Sequence, residues 1–165
     1  MNRAHAALLL ALVPIPAALA SCDPGAACGP ARGVVERVVD GDTIVLAGGT
    51  RVRYLNVDTP ESTPSAGEEC FGPDASTYNA ARVDGREVQL TYDARCEDRY
   101  GRLLAHVWVD GTDVGLDEVA RGYGCVLMVP PNDDDRDAFE AAEQVARAHG
   151  RGLWGACRRP WPCGE

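Results

Sequence analysis

Asp40-Gly41-Asp42-Thr43, a short apolar run, Arg51-Val52-Arg53, and then Val57-Asp58-Thr59-Pro60-Glu61: residues 40–61 govern the reading of this chain. Val34 to Val39 and Thr43 to Leu46 read as paired strands around the Asp40-Gly41-Asp42 turn. Gly48-Gly49 is a hairpin turn into a third strand, Arg51 to Val57. Acids therefore fall at strand ends, with Arg53 one strand away. A second arginine follows in Asp98-Arg99-Tyr100-Gly101-Arg102. Carboxylates can hold a hard cation and guanidiniums can grip a phosphate, and the two together suit metal-assisted phosphodiester chemistry.

Outward from this stretch, residues 59–73 carry prolines, glycines and serines and read as a loop. Asp74 to Val83 reads as a short helix. Glu87 to Tyr92 alternates, with Val88, Leu90 and Tyr92 on one face, and Leu103 to Val109 is a further strand ending at the Asp110-Gly111 turn. Leu116, Val119, Ala120 and Tyr123 recur at helical spacing, as do Phe139, Ala142, Ala146 and His149. Asp133, Asp134 and Asp135 are expected in the first turn of that last helix, where the helix dipole favours negative charge. Gly150 is expected to end it. Five strands with helices interleaved and following give an α+β, mainly β, fold: a small five-stranded barrel of OB type carrying three helices.

The 165 residues fit one domain with appendages. Hydrophobic content is 45% and mean hydropathy −0.20, enough for a folded core. All 16 basic residues are Arg, against 25 acids, for a formal charge of −9. That sign excludes a general nucleic-acid coat protein, so any phosphate chemistry must rest on a local positive site. Residues 1–21 read as an export signal: Arg3, then an apolar run from Ala6 to Ala20 that Pro14 and Pro16 make too broken to span a membrane. They lead into Cys22 through Leu19-Ala20-Ser21, and the four residues together resemble a lipobox, so Cys22 is the expected lipid anchor; an ordinary secretory signal is the alternative. Residues 22–33 then form a tether, 34–157 the folded domain and 158–165 a tail. An exported, membrane-anchored bacterial lipoprotein, periplasmic or at the cell surface, is the expected location. The chain has seven cysteines. With Cys22 lipidated, six remain for three disulfides, and no Cys-x-x-Cys pair points to zinc.

Together with Phe71-Gly72-Pro73-Asp74-Ala75-Ser76 and Gly152-Leu153-Trp154, the three charged segments resemble the staphylococcal nuclease (thermonuclease) family, in the same order from about Val34 to Trp154. The resemblance implies an OB-type barrel with three helices. It implies a catalytic calcium held by Asp42, Asp58 and the Thr59 carbonyl. Glu61 would position or deprotonate the attacking water, Arg53 and Arg102 would bind the scissile phosphate, Asp40 would stand near the metal, and Tyr100 near the phosphate. The implied activity is hydrolysis of DNA and RNA to 3′-phosphate ends by a monomer. The family fold suggests the pairs Cys70–Cys96, Cys125–Cys157 and Cys28–Cys163, although six cysteines allow 15 connectivities.

Two departures bear on substrate binding. Where relatives often carry a lysine-rich loop, this chain has Ser62-Thr63-Pro64-Ser65-Ala66-Gly67-Glu68-Glu69. Where nucleotide-packing tyrosines are expected, it has Cys125-Val126-Leu127-Met128-Val129-Pro130-Pro131. Weaker substrate binding, more sensitive to salt and calcium, is the expectation. The rival reading is a catalytically silent OB-fold lipoprotein that binds nucleic acid or protein. A structural calcium-binding lipoprotein would explain the acids but not the arginines.

Overall fold

Alternating apolar residues build the strands. The computed structural model describes residues 28–64 and 67–158, so the export signal, Cys22, most of the tether, Cys163 and Trp161 lie outside the described residues. Strand β1 (Arg32–Val38) begins inside the stretch expected as tether. It pairs antiparallel with β2 (Thr43–Leu46) through its second half, and β2 pairs with β3 (Arg51–Tyr54). The chain continues through β4 (Val57–Asp58), α1 (Gly72–Val83), β5 (Glu87–Thr91), β6 (Leu103–Val109), β7 (Thr112–Asp113), α2 (Val114–Arg121), β8 (Cys125–Val126), α3 (Arg136–Ala148) and the short α4 (Leu153–Ala156).

The sheet runs β3-β2-β1-β5-β6-β7, and β3 also pairs in parallel with β6, Val52 opposite Leu103. That pairing closes β1, β2, β3, β6 and β5 into the expected five-stranded barrel. A bulge between Val35 and Arg37 bends β1, so its first residues pair with β5 and its later ones with β2. Ile44, Val52, Val107 and Phe139 are fully buried in the core. Among the described residues no helix is long and apolar enough to cross a membrane.

Several expectations are corrected. The third strand stops at Tyr54 rather than Val57, because Asn56 takes a left-handed backbone with φ of 63°. Val57 and Asp58 instead pair with Val126 and Cys125. Helix α2 ends at Arg121 because Gly122 caps it with φ of 78°, so Tyr123 lies beyond it. Asp133, Asp134 and Asp135 precede α3 rather than filling its first turn, and Asp135 is the N-cap residue. Trp108 and Trp154 are half-buried. Trp108 donates its indole N–H to Thr91 Oγ1 at 2.9 Å, and the Arg147 guanidinium lies 4.1 Å from the Trp154 ring.

The disulfides are also re-paired: Cys28 bonds Cys96 and Cys70 bonds Cys157, overturning Cys70–Cys96, Cys125–Cys157 and Cys28–Cys163. Topology is the reason for the first bond. The start of β1 lies on β5, and the Tyr92 hydroxyl donates to the Pro30 carbonyl at 2.8 Å. This brings the chain before β1 to the β5–β6 connection, where Cys96 sits. The segment after α4 lies at the start of α1, with Cys70 and Cys157 Cα atoms 6.0 Å apart. Cys125 is disulfide-bonded as well.

Candidate active site

The turn between β1 and β2 and the segment after β3 meet around one guanidinium. Arg53 Nε lies 3.1 Å from Asp42 Oδ1, and Arg53 Nη2 lies 2.6 Å from Asp58 Oδ1. Its Nη1 donates to the carbonyls of Tyr54 at 2.9 Å and Val57 at 2.6 Å. The left-handed turn at Asn56 presents the Val57 carbonyl and Asp58 to Arg53. The other Asp42 oxygen, Oδ2, accepts from Thr59 N–H at 2.9 Å and Thr59 Oγ1 at 3.0 Å. Thr43 Oγ1 donates to Asp42 Oδ1 at 3.0 Å. Gly41 is required here, since a Cβ would stand 2.6 Å from Thr59 Oγ1.

Asp40 accepts from the Asp42 N–H at 3.1 Å. Its carbonyl accepts from Asn79 Nδ2 at 3.0 Å, and Asn79 Oδ1 accepts from the Tyr54 hydroxyl at 2.8 Å. Helix α1 is thereby tied to the acidic turn. Burial, and then the charge of Asp42, push Asp40 up to about 7. Burial pushes Asp58 up to about 6; Arg53 opposes this, while Asp42, Glu61 and Glu69 add to it. One guanidinium thus faces a surplus of carboxylates. Among the described residues no group of three or more acidic, His or Cys side chains is gathered as a ready metal cage. Asp42 and Asp58 converge on Arg53.

Glu61 sits on the loop after β4. Its N–H donates to Glu69 Oε2 at 2.9 Å, and its carbonyl accepts from Glu69 N–H at 2.8 Å. At Gly72, which opens α1, an added Cβ would be 2.0 Å from the Glu61 carbonyl oxygen. The Phe-Gly-Pro-Asp-Ala-Ser segment therefore fixes the loop that carries Glu61.

Beside Arg53 lies a cleft of about 470 Å³, with Arg102, Arg99, Arg95, Tyr100, Leu127 and Val129 among its lining residues. Arg102 Nε lies 2.7 Å from Asp98 Oδ2, while the Arg102 and Tyr100 amides donate to Asp98 Oδ1. Burial acts against the charge on Asp98, but these hydrogen bonds outweigh it and hold the group below the usual carboxylate range. Tyr100 is 67% exposed, with the guanidiniums of Arg99 and Arg102 at 4.7 and 5.5 Å from its ring. Exposed Leu127 and Val129 form apolar wall where tyrosines were expected.

The structure thus brings Asp40, Asp42, Asp58, Thr59 and Arg53 together, sets Arg102 and Tyr100 around the adjoining cleft, and holds Glu61 on the neighbouring loop. Sequence reasoning missed Thr43, Asn79 and the cleft arginines Arg95 and Arg99. Only Thr43 and Arg99 carried a local signal, as neighbours of residues already singled out. It also missed Glu118 on α2, which is fully buried with neither carboxyl oxygen hydrogen-bonded. Burial, and then the charge of Asp42, push that carboxyl well above the ordinary carboxylate range.

Comparison with known proteins gives the family. The family model described as staphylococcal nuclease homologue matches residues 51–156. The thermonuclease of Staphylococcus intermedius is 34% identical over 125 residues, covering 73% of this chain and 74% of that protein. Endonuclease YncB of Bacillus subtilis is 40% identical over 126 residues, covering 73% of this chain and 60% of that protein. Endonuclease YhcR of the same species is 34% identical over 145 residues, but these cover only 12% of its length. With a family model matching most of the folded domain, and a relative of this identity aligned along most of both chains, the protein belongs to the staphylococcal nuclease family.

Proposed function

We propose that this protein is a calcium-dependent nuclease that hydrolyses DNA and RNA to 3′-phosphate ends. The observation that carries the reading is the convergence of Asp42 and Asp58 on Arg53 beside a cleft lined by Arg102. The names of the thermonuclease and endonuclease relatives support it. The donor set fits a hard cation. Asp42, Asp58 and the Thr59 carbonyl offer only oxygen, and the surplus of carboxylates around Arg53 is one that a divalent ion would offset. When bound, such an ion supplies charge neutralisation at the phosphate.

The chain's own residues do the rest. Arg53 and Arg102 bind the scissile phosphate and stabilise the extra charge of the pentacovalent transition state; truncating either is worth roughly 3 kcal/mol, by analogy with oxyanion donors. Glu61 accepts a proton from the attacking water, a contribution of about 10²–10⁴-fold. The water oxygen bonds to phosphorus, the bond to the 5′-oxygen breaks, and that oxygen takes up a proton from solvent. Asp98 fixes the Arg102 fork, and the Asn79–Tyr54 pair holds the Asp40 turn.

The protein is proposed to act outside the cytoplasm as a monomer, anchored by lipid on Cys22. The leader's composition and the Cys28–Cys96 and Cys70–Cys157 bonds support an oxidising compartment. The test is incubation of the purified protein with single-stranded DNA, plasmid and RNA, with calcium or a chelator, beside the Arg53→Ala, Glu61→Ala double variant. Calcium-dependent cleavage lost in the variant is expected. A folded protein that binds calcium but cleaves none of the three would leave the silent binding-module reading.

A further inference from the structure

A second cluster of rings adjoins the loop that carries Glu61 and shares no lining residue with the Arg102 cleft. Tyr78 and Tyr123 are stacked, with centroids 4.3 Å apart and planes 14° from parallel. Phe71 stands 5.5 Å from Tyr123. All three rings are half-buried rather than core. Phe71 and Tyr123 line a cavity of about 660 Å³ with Arg121, Arg151, Asp117 and Gly152, a volume able to hold a nucleotide. We propose that Phe71, Tyr78 and Tyr123, flanked by Arg121 and Arg151, form a stacking platform for a single-stranded stretch of the polynucleotide substrate.

Four observations support this occupant. Aromatic faces interleaved with guanidiniums are the combination that binds single-stranded nucleic acid without reading sequence. The Arg121 guanidinium lies 5.7 Å from the Tyr78 ring. Charge is the second. Arg82 and Arg121 both contact Asp117, and Arg151 donates to the Ala120 carbonyl at 2.8 Å. Two guanidiniums share the Asp117 carboxylate and a third stands on a backbone carbonyl, which makes a locally positive patch on a protein of formal charge −9. The third is continuity with the active site. Phe71 precedes Gly72, which packs on the Glu61 carbonyl, and Tyr123 precedes Gly124, where a Cβ would stand 2.9 Å from the Asp58 carbonyl. The rings therefore adjoin the two segments that carry Glu61 and Asp58.

The fourth is strain. Phe71 holds φ of 74°, a conformation that a bulky residue adopts only when its surroundings force it, and such strain gathers at binding sites. Tyr78 donates its hydroxyl to Asp117, which fixes the ring orientation. The platform also stands in for what the chain lacks: no lysine lies in residues 62–69 and no tyrosine in residues 125–131.

This inference rests on the proposed nuclease reading, and its test separates the two. Binding of a fluorescein-labelled oligothymidylate of roughly fifteen nucleotides is followed by anisotropy in chelator, and cleavage of the same oligomer and of a dinucleotide in calcium. Tyr123→Leu is expected to weaken oligomer binding about 5- to 150-fold, the range of one lost base stack, with dinucleotide hydrolysis unchanged. Tyr123→Trp is expected to bind as the wild type does. If Tyr123→Leu loses its far-UV spectrum, the exposed pair Arg121→Ala, Arg151→Ala decides. It is expected to flatten the salt dependence by about 0.7 per arginine on a logarithmic scale. Oligomer affinity within about twofold of wild type, or an equal loss on the dinucleotide, overturns the platform and leaves the rings as a brace between α1 and α2. Platform-dependent binding by a protein that cleaves nothing would uphold the platform and sink the nuclease. Cleavage and binding untouched by the variants would do the reverse.

Discussion

Arg53→Met keeps the length of the side chain and removes its charge, so it isolates what the guanidinium does. The Arg53 side chain is 11% exposed, Asp42 7% and Asp58 25%. Its loss leaves two carboxylates without their cation and the Tyr54 and Val57 carbonyls without a donor. Breaking a buried pair costs about 3–5 kcal/mol. Asp58 is a quarter exposed and water can reach it, which puts the expected loss near the lower end, about 3 kcal/mol. For a domain of this size that is a fall in Tm of roughly 10 °C. Thermal and urea unfolding measure it, with an unchanged m-value confirming that only stability moved. Adding Asp42→Asn should recover much of the loss, because it removes the more buried orphaned charge, and the double-mutant cycle reads the coupling directly. At a temperature where the variant is folded, cleavage should fall by at least about 10²-fold. A stability loss under about 1 kcal/mol, or no recovery with Asp42→Asn, would refute the account of Arg53 as the charge that holds the two acids.

Calcium at about a hundred times its dissociation constant should stabilise the wild type by roughly 2.7 kcal/mol, seen as a rise in Tm, and do nothing for Asp42→Asn, Asp58→Asn; an equal rise in both would place the ion elsewhere. His106 is buried, 2.8 Å from Asp113 and 3.5 Å from Asp135. Burial opposes its charged form, but the Asp113 hydrogen bond and the charges of Asp113, Asp135 and Asp93 outweigh it and raise its pKa above 6.5. A raised histidine contributes fully below its unfolded pKa and loses that contribution as pH rises through the folded value. The stability gap between wild type and His106→Gln should therefore narrow from pH 5.5 to pH 9, and a constant or widening gap would contradict it. Cys70→Ser, Cys157→Ser opens a link across 87 residues and should cost about 4–5 kcal/mol by chain entropy, read from denaturant midpoints; a difference below about 1 kcal/mol would mean that the loop ends are held without it.

The barrel was legible because its strands alternate or carry apolar runs bounded by turn residues. Glu87–Thr91 buries Val88 and Leu90, the positions that its alternation assigns to one face. The break at Asn56 was not legible, because asparagine in a left-handed turn looks like any other polar residue inside a β-rich run. Disulfide pairing was less accessible still. It depends on which strand the start of β1 lies against, and that follows from a bulge and a double pairing that leave no mark on cysteine spacing. Helix α2 showed its apolar stripe but hid Glu118, since a buried carboxyl breaks the periodicity used to find the core.

The acids and arginines of the site could be read from order and spacing, but not the way they bind one another. Arg53 meets four acceptors at once: Asp42, Asp58 and the carbonyls of Tyr54 and Val57. An ammonium carries three protons on one atom and could not span them, whereas a planar fork reaches all four. The chain has no lysine anywhere, and its sixteen cations are all of the kind that suits this geometry. Its negative total is compatible with a phosphate-directed site because of placement. Arg95, Arg99 and Arg102 gather at the cleft and Arg82, Arg121 and Arg151 around the stacked rings, while Arg136 and Arg147 are spent on acids of their own helix region. At an ionic strength that screens charges beyond about 8 Å, a substrate phosphate at either place is governed by those local guanidiniums and only weakly by the acids on the rest of the surface.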